Sequence, residues 1–295
     1  MKDTYCNPQL KHDALLLFDA VDSNPNGDPD NAGKPRTDLD TGEGLASDAS
    51  LKRKVRDSII YQVNQGVLSP ERNLIFIRRG VSLNEQLEEA YKALGLKSGS
   101  KTGENSSDDV DKAQRYMLDH YYDVRMFGAV MTTGRASAGK TTGPVTIGIA
   151  RSLDPVLPID MGITRTASTR EEDRDNASQM GNKTVIPYGL YSTRIHYQPT
   201  KGNQVTEEDL AVFWNTLTMM FEWTRSAARP DVNVRGLFVF THDNPLGNAP
   251  AYKLFDSVRI SKVEGVETPR AFTDYVIIEP DPSTLPKGIT YQRLA

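Results

Sequence analysis

DVRMFGAVMTTGRASAGKTTGPVTIGIAR, residues Asp123–Arg151, is the stretch on which the fold turns. Its apolar run Val124–Met131 predicts a strand and Gly134–Gly143 a glycine-bearing loop. A second strand follows, in which Val145, Ile147 and Ile149 alternate with Thr146 and Gly148. Gly134, Gly139, Lys140 and Thr141 satisfy GxxxxGK[ST], the pattern that cradles phosphates in nucleotide hydrolases. That chemistry needs a helix directly after the loop, because its free amides and dipole hold the phosphates. Thr142, Gly143, Pro144 and a period-two strand follow instead. The run LLLFD, Leu15–Asp19, could imitate a metal-holding partner strand, but it precedes the loop where such a partner normally follows. The stretch therefore reads as a hairpin whose glycines let a polynucleotide backbone come close.

The rest of the chain is set by composition. Its 295 residues suffice for one large or two ordinary domains, and 38% hydrophobic with 25% charged residues describes a soluble globular protein. No apolar run reaches the length of about eighteen residues that suggests a membrane span. MKDTYCNPQLKHDA at the N-terminus lacks a signal-peptide core, so a cytoplasmic protein is expected. Cys6 is the only cysteine, which excludes an internal disulfide and a thiolate zinc cluster. His12, His120, His196 and His242 are scattered without ligand spacing, so neither metal nor cofactor is expected. A net charge of −4 leaves room for a local basic groove, since nucleic-acid binding depends on where cations cluster.

Upstream of the hairpin, Ala14–Val21 reads as a buried strand that runs into the turn-forming cluster DSNPNGDPDNAGKPRTD. DxNxNG within it resembles the start of a calcium loop. Pro25 interrupts that loop and Gly33 stands where its glutamate belongs, so Asn and Asp side chains capping their own backbone is the better reading. SDASLKRKVRDSIIYQVNQG predicts an amphipathic helix capped by Ser47 or Asp48, with Leu51, Val55 and Ile59 buried and Gly66 ending it. Lys52, Arg53, Lys54 and Arg56 crowd its first turns, where the macrodipole disfavours cations by about 0.3–1 kcal/mol each. A bound anion would offset this, held by free amides, the Ser47 and Ser50 hydroxyls and the basic side chains; a solvated face paired with Asp48 and Asp57 would do the same. Ser69–Tyr122 reads as an insertion with a short strand at Leu74–Ile77 and helices near Leu83–Leu94 and Val110–His120. SGSKTGENSSDD between those helices reads as a flexible loop.

Downstream, Pro158–Pro187 carries many charges and few apolar residues, which predicts a protruding arm, with Ile163 and Met180 as apolar points on its two sides. Leu190–Tyr197 reads as a strand. Thr206–Arg225 is a helix with a Thr206/Asp209 capping box and a stripe of Leu210, Phe213, Trp214, Leu217, Met220 and Phe221. Strands follow at Val234–Thr241, Ser257–Lys262 and Phe272–Ile278, before a proline-rich tail. The predicted class is α+β, a ferredoxin-like (RNA-recognition-type) alternation with appendages.

DVRMFGAVMTTG with GPVTIGIARSLDP, the SNPNGDPDN turn, the SLKRKVRD helix and GITRT together resemble the repeated backbone subunit of type I-C CRISPR surveillance complexes (Cascade), in the RAMP superfamily. The resemblance runs from about Leu15 to Ile278. It implies a palm, a finger insertion and a thumb β-hairpin, in copies that stack along a crRNA guide while each thumb kinks it for pairing with target DNA. On this basis residues 1–65, 123–157 and 188–295 are palm, 66–122 fingers and 158–187 thumb. It further implies RNA contacts at Ser47, Ser50, Lys52, Arg53, Arg56, Met131, Lys140, Ile163, Thr164, Arg165 and Met180, with no catalytic residues. Other Cascade members, a 5′-end-capping or processing subunit and the large and small subunits, are the implied partners. The alternative is a metal-dependent endoribonuclease of the type III kind, for which Asp22, Asp28 and Asp30 offer carboxylates.

Overall fold

The computed structural model describes residues 4–99, 104–165, 179–200 and 204–295. Strand β1 (His12–Ser23) is its centre, buried on both faces from His12 to Ala20. The chain then passes through the predicted turn cluster, where Asp28 accepts from the Asp30 amide at 3.2 Å, to the short strand β2 (Glu43–Ala46). Helix α1 (Asp48–Asn64) follows, capped by Ser47 and closed at Gly66 with φ +72. Leu51, Val55 and Ile59 are buried along it as their spacing predicts.

The insertion contains α2 (Leu83–Ala93) and α3 (Ser107–His120), both capped by serine hydroxyls. Three expectations need correction here. Leu74–Ile77 forms no strand and contributes a single bridge, Leu74 with Tyr121. Val124–Met131 is not one strand: α4 (Tyr122–Phe127) comes first, and only Gly128–Met131 is extended, as β3. Tyr122, Asp123, Val124, Arg125 and Met126 are all buried, so no polar face marks the helical period. The partner of β3 is β4 (Gly139–Thr142), not the strand beyond it. Met131, Ala136 and Ala138 pack with Phe76, Leu87, Tyr91 and Met117, so this hairpin lies in the insertion's own core. Residues 100–103 of the expected flexible loop lie outside the described residues. Its end is ordered, since Asn105 bonds the Arg135 carbonyl and the Ser137 amide and α3 begins at Ser107.

The main sheet is completed by β5 (Val145–Ile147), β6 (Ala150–Pro155), β7 (Ile159–Arg165), the long β8 (Gln179–Tyr197) and, after helix α5 (Glu207–Trp223), β9 (Asp231–His242). Helix α6 (Ala251–Phe255) precedes a two-stranded sheet of β10 (Arg259–Lys262) and β11 (Tyr275–Ile278). The tail is more than a proline-rich extension: β12 (Ile289–Arg293) pairs with β9. The order is β12-β9-β1-β8-β6-β2, antiparallel, with β5 and β7 also on β8. Ala14, Leu16, Phe18 and Ala20 of β1 meet α1 and α5 on one face, and Leu15 and Leu17 meet Phe238, Phe240 and Leu254 on the other. Two-sided burial explains why β1 is a continuous apolar run.

The open end of β1 carries a buried polar lock. Asp13 is fully buried and bonded to His196 and His242, while His12 Nε2 donates to the Asn7 carbonyl at 2.8 Å and Nδ1 accepts from Thr241 at 3.0 Å. Burial, set against the Asn7 hydrogen bond, pushes His12 down to about 4 from its usual 6.5. Its folded value is depressed, so folding favours the neutral ring. That stability is present above about 6.5 and is lost as pH falls from about 6.5 to about 4. The thermal midpoint is expected to drop across this window, and to drop less in His12→Asn; equal slopes would refute the assignment.

Candidate nucleic-acid interface

The start of α1 is tied to the preceding turn. Ser47 donates its amide and hydroxyl to Asn26 Oδ1 at 2.8 and 3.0 Å, and its hydroxyl accepts from the Ser50 amide at 3.2 Å. Lys52 pairs with Asp48 at 3.0 Å and Arg53 with Asp57 at 2.7 Å, both four residues apart on a part-exposed face. Such pairs contribute only about 0.3–0.5 kcal/mol each, so both cations keep most of their attraction for an outside anion.

Arg56 is spent inward. Its Nε donates to Asp123 at 2.8 Å, with 10% of its side chain exposed and 1% of the carboxylate. The same carboxylate accepts from the Phe76 and Ile77 amides at 2.8 and 3.1 Å, so a single aspartate joins α1, α4 and the insertion's first turn. Met131 is also interior, with no exposed surface. Neither residue is open to a strand passing outside. Lys140 is exposed on β4, where its carbonyl accepts from Gln114. After Lys140 the chain continues as strand, so the phosphate-loop pattern lacks the helix it needs. Gly128 and Gly143 serve internal packing: a Cβ on Gly143 would lie 2.3 Å from the Phe127 carbonyl carbon.

Where the arm is expected, β7 and β8 pair as an antiparallel hairpin. Ile159, Met161 and Ile163 alternate along β7 and are 37%, 49% and 54% exposed. Asp160 between them pairs with Lys34 and accepts from Thr184, fixing the arm's foot to the 24–38 turn. Thr164 is exposed and registers opposite Met180, and Arg165 opposite Gln179. Residues 166–178, with the last residue of GITRT, lie outside the described residues. Ile163 also lines an open cavity of about 330 Å³ with Asn24, Lys183, Thr184 and Ala228.

The carboxylates weighed for metal chemistry have other work or stand apart. Asp28 pairs with Arg36 at 3.2 Å and caps its turn, while Asp22 and Asp30 are exposed. Among the described residues, no group of three or more His, Cys, Asp or Glu is placed to hold a metal ion. Lys54, named among the cations at the start of this helix but given no RNA contact, is buried, with Arg229 and Arg79 within electrostatic range. Its signal was an unpaired position in KRKVRD, legible only once its neighbours have found partners.

The family model for CRISPR-associated protein Cas7 matches residues 10–279. A CRISPR-associated protein Cas7 of Haloferax volcanii is 26% identical over 198 residues, 61% of this chain and 54% of the relative, so the match spans about half of that relative's length. A chain of a CRISPR RNA-guided surveillance complex in a pre-nicking state superposes with a TM-score of 0.49 at 14% identity, over 78% of this chain and 75% of that one. A chain of the type III-B Cmr-beta complex bound to cognate target RNA gives 0.42 at 9%, over 78% and 61%.

Proposed function

This chain belongs to the CRISPR-associated protein Cas7 family, and from that premise we propose that it is the repeated crRNA-binding backbone subunit of a type I-C surveillance complex. The observation that carries the reading is the pairing of a part-exposed basic face at Lys52 and Arg53 with a hairpin arm bearing Ile159, Met161 and Ile163 on one exposed face. Cations hold a phosphate backbone, and apolar side chains on an arm unstack bases at a cost of a few kcal/mol per step. Ser47, Ser50 and Lys140 line the guide, and Ile163, Thr164, Arg165 and Met180 meet the kinked nucleotide. Arg56 and Met131 support this surface from within. The order β9-β1-β8-β6 with α1 and α5 packed on one face supports a ferredoxin-like palm.

In this role the subunit is non-catalytic and cytoplasmic. It stacks with further copies and other complex members, and it leaves sequence reading to guide–target pairing. Purified protein is expected to carry RNA of uniform length. Alanine at both Lys52 and Arg53 should weaken RNA binding at all sequences and reduce the slope of log affinity against log salt by about 1–2. An unchanged affinity and slope would remove this face from the interface. Regularly spaced, Mg²⁺-dependent cuts in a complementary target RNA would replace the reading with the ribonuclease.

A further inference from the structure

Lys54 lies on α1 with only 6% of its surface exposed. Its neighbours Lys52, Arg53 and Arg56 each have a carboxylate, whereas Lys54 has no hydrogen bond or salt bridge among the described residues. Arg229 and Arg79 come within electrostatic range from two other segments, and on α1 itself Arg53 and Asp57 do so. Asp57, the one acid of the group, is already taken by Arg53. Arg229 adds a second unmet need: its Nε is buried with no hydrogen-bond partner.

The fold builds this collection and holds it. Asp123 fixes the Phe76 and Ile77 amides and Arg56 together, which brings the turn bearing Arg79 against α1. The Asn24 amide donates to the Ala228 carbonyl at 2.8 Å, and Ser226 and Arg229 close their turn on each other, which sets Arg229 at the end of β1. Lys54 is buried, Arg229 half-buried and Arg79 exposed at their edge, and like charges brought together in this way repel one another. Burial first, then the charge of Arg229, push the Lys54 ammonium down to about 8. Burial, with Arg79 next, lowers Arg229 as well. An anion seated among them would relieve both.

We infer that Lys54, Arg79 and Arg229 form a preformed anion site that takes one phosphodiester of the bound RNA strand. This rests on the guide-binding reading above and names a contact that reading lacked. A phosphate is the fitting anion because it offers several acceptor oxygens to donors carried on three neighbouring segments.

The test is binding of the full chain to fluorescent oligoadenylate, whose bases do not titrate between pH 7 and 9. Binding should raise the Lys54 pKa, so wild-type affinity is expected to fall as pH rises through about 8, by roughly tenfold from pH 7 to pH 9. Lys54→Met should bind about tenfold more weakly at pH 7 and show a flat profile. Lys54→Arg should keep the pH 7 affinity through pH 9, and Arg229→Ala should weaken binding at both. A thermal midpoint for unliganded Lys54→Met at or above wild type would show that the weaker binding is not misfolding. Wild-type-like binding by Lys54→Met, or a change in self-association alone, overturns the site and leaves the guide-binding reading standing. Failure of the wild type to bind any RNA overturns both.

Discussion

Replacing Arg125 with alanine is expected to destabilise the protein by about 3–5 kcal/mol, the cost of breaking a buried ion pair, although Arg72 still reaches Asp209 at 3.1 Å. Arg125 has no exposed side-chain surface. Its Nη2 and Nε reach the two Asp209 oxygens at 2.7 and 3.3 Å, Nη1 donates to the Leu118 and Asp119 carbonyls, and Nη2 also reaches the Arg72 carbonyl. One guanidinium thus ties the last turn of α3 and the start of the insertion to the capping aspartate of α5. Burial alone would raise the Asp209 carboxyl, but the hydrogen bond and charge of Arg125 hold it below its usual value. Arg125→Lys should recover little, because an ammonium cannot reproduce a planar fork that serves four groups. Urea unfolding at pH 7 measures this, and a loss below about 1 kcal/mol would show that the pair does not hold the insertion to the sheet.

Asp123→Ala should be comparably damaging, again about 3–5 kcal/mol, because it leaves the Arg56 guanidinium and two amides without their acceptor. The Phe76 and Ile77 amides and Arg56 all end on this carboxylate, which is 1% exposed. Asp123→Asn keeps an acceptor oxygen and loses the charge, so it should fall between wild type and alanine. The turn that carries Arg79 depends on the same carboxylate, so folded Asp123→Asn should also bind RNA more weakly than wild type. Amide exchange at Phe76 and Ile77 gives a local readout: unchanged protection in Asp123→Asn would mean that this turn is held by its apolar contacts alone.

Both residues belong to the DVRMF that begins the opening stretch, and they mark where sequence reading stopped. Helices α1 and α5 were legible because one face of each meets solvent. Leu51, Val55 and Ile59, or Leu210, Phe213, Trp214 and Leu217, then stand out against polar neighbours, and Ser47 and the Thr206/Asp209 box mark the starts. The β1 core strand was legible for a similarly local reason, a short apolar run.

What the chain alone determined, then, is the set of elements whose pattern is written locally, the absence of a helix after Lys140, and the resemblance that leads to the Cas7 family. The tertiary structure decided the rest. It made Tyr122–Phe127 a helix, since a segment buried all round shows no period. It gave the tail a strand, because β12 takes its hydrogen bonds from β9. It also decided which cations stay available. Arg56 meets an aspartate 67 positions away and Arg125 one 84 positions away, whereas Lys54 meets other cations. Charge type is fixed by the residue, but whether a charge is satisfied depends on neighbours that only the folded chain brings within reach.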